Sequence, residues 1–197
     1  PERPRAIAED ALLDGRADLA VHSAKDLPAA LAPGLVLAAC PERADPRDAL
    51  VTRAGDGSLA TLRRGARIGT GSARRAAQLR AFRPDLEIVP LRGNVPTRIR
   101  KIASEDLDAV VLAAAGLDRL GLAGRIAERI SEETLLPALA QGTLALETRV
   151  ADPLASDLAI LADALARTPP EAARALLPRL RGAGNWPPPG RRARTAP

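Results

Sequence analysis

The segment from Val21 to Pro28 reads Val-His-Ser-Ala-Lys-Asp-Leu-Pro. It holds the only histidine of the chain, His22, and one of its two lysines, Lys25, with a carboxylate, Asp26, directly after the lysine. An ammonium beside a carboxylate can bind an anion, move a proton or offset a developing charge. Plainer readings stand next to that one. Asp26 could be a turn or helix-cap aspartate, and His22 on its own fits a satisfied structural histidine better than a catalyst.

Three further clusters carry cations. Gly69-Thr-Gly-Ser-Ala-Arg-Arg75 combines small residues with two adjacent guanidinium groups. Ser72 can cap a helix there, and free N–H groups at a helix start favour an anion. Leu91-Arg-Gly-Asn-Val-Pro-Thr-Arg98 ends a second apolar run on an arginine, and a helix is expected to open at Thr97. Ala114-Ala-Gly-Leu-Asp-Arg119 is the third. Guanidinium forks recognise carboxylates and phosphates in two-point fashion. Arg74, Arg75, Arg92, Arg98 and Arg119 on one rim would suit an anion with several negative groups. Any one of them could equally be a solvated surface charge.

The elements that must position these groups follow from the pattern. Ala6 to Leu13 has helical spacing and stops at Asp14-Gly15. Ala17 to Val21 reads as a short strand running into the Lys25-Asp26 loop, and Leu35 to Ala39 as a buried strand ending at Cys40. Cys40 there fits a small core residue. Pro41 to Asp48 is a charged connector with two prolines, a candidate crossing between domains. From Ala49 onward strands and helices alternate: strands at Ala49–Thr52, Arg67–Thr70, Leu86–Leu91 and Ala109–Leu112, helices at Ser72–Phe82 and Thr97–Ser104. Leu59 to Arg63 reads as a weak helical turn, and Gly116 to Ile130 as helical with a break near Gly121. Leu144 to Val150 is a further strand, Leu154 to Ala166 a helix with leucines at helical spacing, and Glu171 to Leu177 a weaker helix. Such alternation predicts an α/β fold with mostly parallel sheets. From about residue 181 the chain is Pro, Gly and Arg without period and is expected to be disordered.

Composition narrows the function. The 197 residues carry a net charge of +5 with only 1% aromatics. A basic balance points to an anionic partner, but the stacking side chains of single-strand nucleic-acid binders are missing. No apolar run approaches the length of a membrane span, and no secretory signal opens the sequence. A lone cysteine suits a reducing compartment, so a cytoplasmic location is expected. No metal-ligand cluster, dinucleotide fingerprint or phosphate-binding loop is present. The absence of an initiating Met is read as the mark of a fragment.

Taken in order, the motifs resemble the porphobilinogen deaminase (hydroxymethylbilane synthase) family. Those that carry the resemblance are Asp14-Gly-Arg-Ala-Asp18 through Val-His-Ser-Ala-Lys-Asp-Leu-Pro28, Glu42-Arg43 with Asp45-Pro-Arg-Asp-Ala49, the two arginine clusters, Ala115-Gly-Leu117 with Arg119-Leu-Gly-Leu122, and Leu136-Pro-Ala138 with Gln141-Gly142. The resemblance covers about Ile7 to Leu180. It implies two lobes like type II periplasmic binding proteins and a third domain, with the active site between the first two. Residues 1–40 and 142–160 would form part of domain 1, residues 41–141 domain 2, and residues 161–197 a remnant of domain 3.

The reaction implied is stepwise condensation of porphobilinogen with loss of ammonia, in tetrapyrrole (heme) biosynthesis. The rings would grow on a dipyrromethane cofactor held through a cysteine thioether, in a monomer that needs neither nucleic acid nor membrane. Asp26 matches the family's catalytic aspartate, which would stabilise the cation left when ammonia departs. Lys25, Arg74, Arg75, Arg92 and Arg98 match binders of the acetate and propionate groups. Ser23, Thr70, Ser72 and Gln141 match other polar contacts to cofactor or substrate.

Several departures accompany the resemblance. The family's N-terminal segment and glycine-rich lid have no counterpart here. Gly71 and Ala140 stand where the family usually has serine and glycine, swaps expected to be tolerated. Where the family places a Gly-Gly-Cys loop for the cofactor, this chain reads Arg181-Gly-Ala-Gly-Asn-Trp186, and Cys40 matches a different position. Reading-frame errors near Arg5 and Gly182 would account for both ends. The chain as written is therefore expected to lack the covalent cofactor and to be inactive. The alternative is a non-catalytic two-lobed binding protein for a small carboxylate.

Overall fold

The computed structural model describes residues 4–28 and 30–162. The expected helix at Glu171–Leu177 and the expected disorder beyond 181 lie outside the described residues. Two sheets organise the rest.

The larger sheet has five strands: β3 (Asp48–Thr52), β4 (Arg67–Thr70), β5 (Glu87–Pro90), β6 (Ala109–Ala113) and the two-residue β7 (Glu128–Arg129), in the order β5-β4-β6-β3-β7. β4 runs parallel to both β5 and β6. β3 runs antiparallel to β6 and β7, so the sheet is mixed. Its strands alternate their side chains between two apolar layers. Val51, Val110 and Leu112 pack with Ile99 and Ile102 of helix α3 (Val95–Ser104) and Leu117 of helix α4 (Ala114–Arg119). On the other face Leu50, Ile68 and Val111 pack with Leu79 of helix α2 (Ala73–Phe82). Burial on both faces explains why these strands read as nearly continuous apolar runs.

The smaller sheet has three antiparallel strands, β1 (Ala20–Ser23), β8 (Leu144–Arg149) and β2 (Leu35–Ala39), in the order β1-β8-β2. Helix α1 (Pro4–Leu13) seals one side through Leu12, which packs on Ala20 and Leu35. At the far end Leu158 of helix α5 (Leu154–Leu158) packs on Ala39 and Leu146.

Most expected elements form within a residue or two of their predicted bounds. Three do not. β1 starts at Ala20 rather than Ala17, because residues 15–17 close α1 with turn hydrogen bonds back to Ala11 and Leu12. The stretch Gly116 to Ile130 is not one helix: α4 stops at Arg119, Gly121 takes φ 68°, and the chain runs through a 3-10 turn at Ala123–Arg125 into β7. Pairing of Glu128 with Leu50 extends the sheet, which a continued helix could not do. The helix from Leu154 also gives way, at Ala159–Leu161, to a 3-10 turn, and Ala162 is extended; residues 163–166 lie outside the described residues. Leu59 to Arg63 forms turns, pinned by a hydrogen bond from the Leu59 amide to the Glu128 carboxylate at 2.6 Å.

Two connectors join the sheets and touch each other. The Ala44 amide donates to the Gly142 carbonyl at 3.2 Å, and Arg43 donates to the Gln141 carbonyl at 2.9 Å. Gly142 has φ 93°, and a Cβ there would meet the Ala44 carbonyl oxygen at 2.3 Å. Only glycine fits that approach.

Candidate functional site

β1 delivers Ser23 to the edge of a cleft, and the next three residues close a single 3-10 turn, Ala24–Asp26. The Ala24 amide donates to the Thr143 carbonyl at 3.0 Å and so ties this turn to the connector before β8. Lys25 and Asp26 are exposed residues at the cleft mouth. The Lys25 ammonium reaches inward and donates to Gln141 Oε1 at 3.3 Å. His22 does not share the cleft. Its Nε2 lies 2.9 Å from Glu147 Oε2 inside the small sheet, where it serves as a structural group, as the sequence suggested. Cys40 is fully buried beside Ala24, Leu27, Leu37 and Ala145, also as expected.

The opposite wall comes from strand ends of the larger sheet. Ser72 caps α2 by accepting from the Arg75 amide, and Thr70 Oγ1 accepts from the Ser72 amide at 3.2 Å. Thr70 is buried and shapes the turn beneath the site. Asn94 caps α3, which opens at Val95 rather than Thr97, by accepting from the Thr97 amide at 2.9 Å. Pro96 sits in the first turn, where a missing N–H costs nothing. The cap brings Arg98 to the cleft, its Nε donating to the Gly93 carbonyl at 2.6 Å. Arg92 is exposed and lines neither cavity of the cleft, so it is the one candidate cation the structure leaves apart.

A cavity of about 420 Å³ lies between the walls, with Ser23, Lys25, Asp26, Arg75, Arg98 and Arg119 among its lining residues. A second, of about 340 Å³, adjoins it and adds Ser72, Arg74 and Gln141. The two share Lys25, Asp26, Arg75 and Arg98. Five cationic side chains line this space against one carboxylate, Asp26. Such an excess selects an anionic ligand.

Beneath the arginines lies Asp48, the first residue of β3, read in the sequence as the end of a charged connector. It is fully buried. Its Oδ2 accepts from Arg74 at 2.6 Å, and its Oδ1 from Arg75 Nε at 3.0 Å, Arg75 NH2 at 2.6 Å and Gln141 Nε2 at 2.8 Å. Arg75 also donates to the Val111 carbonyl at 3.1 Å, and Arg74 to that of Leu136. Arg75 is buried and Arg74 partly so, and a buried guanidinium requires a carboxylate partner; the adjacent arginines were the available sequence signal. Arg119 donates to the Gly142 carbonyl at 2.7 Å, turning it toward the larger cavity.

The charges shift one another. Burial in the cleft lowers the Lys25 pKa, and the Arg75 charge lowers it further, while Asp26 and Asp48 act in the opposite sense. Burial and then Arg75 likewise lower Arg98. Burial alone would raise Asp48, but the charge and hydrogen bonds of Arg75 and Arg74 outweigh it and hold the carboxyl below its usual range.

Gly71 and Ala140 bear on the site's backbone. A Cβ at Gly71 would lie 2.5 Å from the Leu91 carbonyl oxygen, so the turn has closed into the space a serine would need. Ala140 adopts φ 58°, the left-handed region that glycine enters freely, so this swap is tolerated with strain.

An α/β protein with a basic, carboxylate-bearing cleft between two sheets is the architecture of a two-lobed binding fold. The structure matches that of a putative methionine-binding lipoprotein from Bacillus subtilis with a TM-score of 0.50, over 83% of this chain and 77% of that one. At 13% identity the likeness concerns the fold alone. Residues 6–157 match the family described as "Porphobilinogen deaminase, dipyromethane cofactor binding domain". The chain is 57% identical over 175 residues to the porphobilinogen deaminase of Roseiflexus sp. (strain RS-1), covering 88% of this chain and 57% of that protein. It is 55% identical over 180 residues to that of Sorangium cellulosum (strain So ce56), covering 91% of this chain and 60% of that protein. The chain belongs to the porphobilinogen deaminase family, a family of transferases whose cofactor is dipyrromethane. It spans less than two thirds of the length of these relatives.

Proposed function

We propose that this chain is the cleft-bearing part of a porphobilinogen deaminase, which condenses porphobilinogen stepwise into a linear tetrapyrrole and releases ammonia. One observation carries the reading: the Asp26 carboxylate shares a cavity with Lys25, Arg75, Arg98 and Arg119. Asp26 is the catalytic group. A carboxylate at that spot accepts pyrrole N–H hydrogen bonds and stabilises the positive charge that develops as ammonia leaves. Lys25 and Arg98 bind acetate and propionate groups, with Ser23, Ser72 and Gln141 as further polar contacts. Arg74 and Arg75 offer the ligand only what Asp48 leaves of their donor sets. Thr70 supports the turn, and Arg92 acts at the outer rim.

The donor set fits the dipyrromethane group without a covalent bond: cations for its carboxylates, Asp26 for its pyrrole nitrogens. When bound, that group supplies the pyrrole end onto which rings are added. The thiol does not fit. Cys40 is sealed in an apolar cluster and lines neither cavity. The 197 residues by themselves therefore hold no thioether-linked cofactor and are inactive or nearly so. We assign residues 1–40 with 142–160 to one domain, residues 41–141 to a second and residues 161–197 to the remnant of a third, in a cytoplasmic monomer.

Intact-mass measurement and calorimetry test this. Porphobilinogen should bind with an affinity that falls with salt, while the protein's mass stays that of the bare chain. A covalent dipyrromethane adduct would overturn the inactivity, and absence of binding would overturn the substrate. In a full-length relative, replacing the residue matching Asp26 with Ala should abolish turnover; retained activity would favour a non-catalytic carboxylate-binding protein.

A further inference from the structure

We infer that Asp48 is the positioning residue of the cleft: its buried carboxylate aims Arg74 and Arg75 as one unit and balances their charge against Lys25. The inference rests on the reading of this cleft as the ligand site. Asp48 lines neither cavity, so it acts through other side chains. It is immobile. Its strand is hydrogen-bonded on both sides, to β6 and β7, and its own carbonyl accepts from the Ile130 amide at 2.9 Å.

Two neighbouring guanidinium groups repel and, left alone, would splay into solvent. Asp48 takes one on each oxygen, at 2.6 Å in both cases. Gln141 relays the arrangement across the cleft. Its Nε2 donates to Asp48 at 2.8 Å and to the Pro46 carbonyl at 2.7 Å, which leaves Oε1 aimed at the Lys25 ammonium, 3.3 Å away. A single buried carboxylate thus sets groups delivered by α2, by the connector before β8 and by the turn after β1.

The charges around Lys25 fix what should follow. Asp26 faces it from its own turn, Asp48 from β3, and Arg74 and Arg75 from α2. Arg98 of α3 and Arg119 of α4 line the same cavity. Without Asp48 only Asp26 opposes the cations around Lys25, and the ammonium becomes harder to keep.

The chain offers a clean readout, because Lys25 and Lys101 are its only lysines. Lys101 pairs with Glu105 at 2.8 Å on α3 and serves as the internal reference. In a lysine-labelled NMR titration of the 197-residue chain, Asp48→Asn should lower the Lys25 midpoint by about one pH unit, with Lys101 unmoved. Asp48→Glu should return most of the shift. If Asp48 merely held the fold together, its loss would release Lys25 to water and its midpoint would rise. An unchanged or raised midpoint overturns the inference. Should Asp48→Asn lose its far-ultraviolet circular dichroism, Gln141→Met becomes the test. It cuts the relay but spares the Asp48–arginine pairs, and should lower the Lys25 midpoint by a smaller amount; no change there overturns the inference equally. The titration needs no substrate, so failure of porphobilinogen to bind would count against the functional reading alone.

Discussion

The two arginine-bearing strand ends of the larger sheet look alike in sequence and differ in the fold. At the α2 end, Arg74 and Arg75 are committed to Asp48, Val111 and Leu136, and Arg75 is 5% exposed. At the α3 end, the Arg98 side chain has a single hydrogen bond among the described residues, to the Gly93 carbonyl, and Arg92 is exposed. The first pair is built into the protein, whereas of the second pair Arg98 faces the cleft and Arg92 stands apart from it. Desolvation is the cause. A buried guanidinium must be neutralised within the fold, whereas one at a rim is hydrated until a ligand arrives. A basic cluster can therefore be scaffold at one strand end and recognition at the next.

Truncation should separate the two ends most sharply. Arg75→Ala strips the principal partner from a fully buried carboxylate and should cost about 3–5 kcal/mol of stability, read from urea unfolding. If Arg75 is as dispensable as Arg98, the contrast fails. The connector that brings Gln141 to the locked end should be nearly as sensitive. Gly142→Ala combines a positive φ with a backbone clash and should cost about 3 kcal/mol in the same assay.

Arg98→Ala should change stability by less than about 0.5 kcal/mol, yet weaken porphobilinogen binding about tenfold by calorimetry, as expected for one charge-assisted contact. A stability loss without a binding loss would reverse the assignment of the open end.

Acid should act on the locked end. The folded-state pKa of Asp48 is lowered, so the stability from its pairing is complete above the usual carboxylate range and is lost as pH falls through the lowered value. Asp45, held near 2 mainly by its hydrogen bond from Arg47, also titrates below the usual carboxylate range. Below about pH 4 the wild type should lose stability more steeply than Asp48→Asn, and the difference isolates Asp48 from Asp45. Equal slopes would remove Asp48 from the acid response. The smallest effect belongs to Ala140→Gly. Relief of the left-handed strain, about 1–2 kcal/mol, is opposed by the loss of a buried methyl, about 0.8 kcal/mol. The variant should gain a few tenths to about 1 kcal/mol in thermal unfolding.

The sequence by itself determined the elements and the chemistry of the cleft. Period and punctuation located β4 to the residue and α2 to within one, since a Gly-Thr-Gly-Ser turn before a helical stretch leaves the backbone little choice. Charge type and motif order located the basic face of the cleft and the Lys25-Asp26 turn. They also supplied the family, which the matched relatives bear out.

Only the tertiary structure decided which cations are spent and which remain available. Asp48 lies 26 and 27 residues from its arginines, and Gln141 lies 93 from Asp48. No local pattern encodes pairings across such separations. The antiparallel pairing of β3 was hidden for the same reason: a strand buried on both faces reads identically whichever way it runs. The end of α4 was set by the sheet, because two residues gain more from pairing beside Leu50 than from another helical turn. Burial turned a charged connector residue into the anchor of the site, and burial is a property of the folded chain.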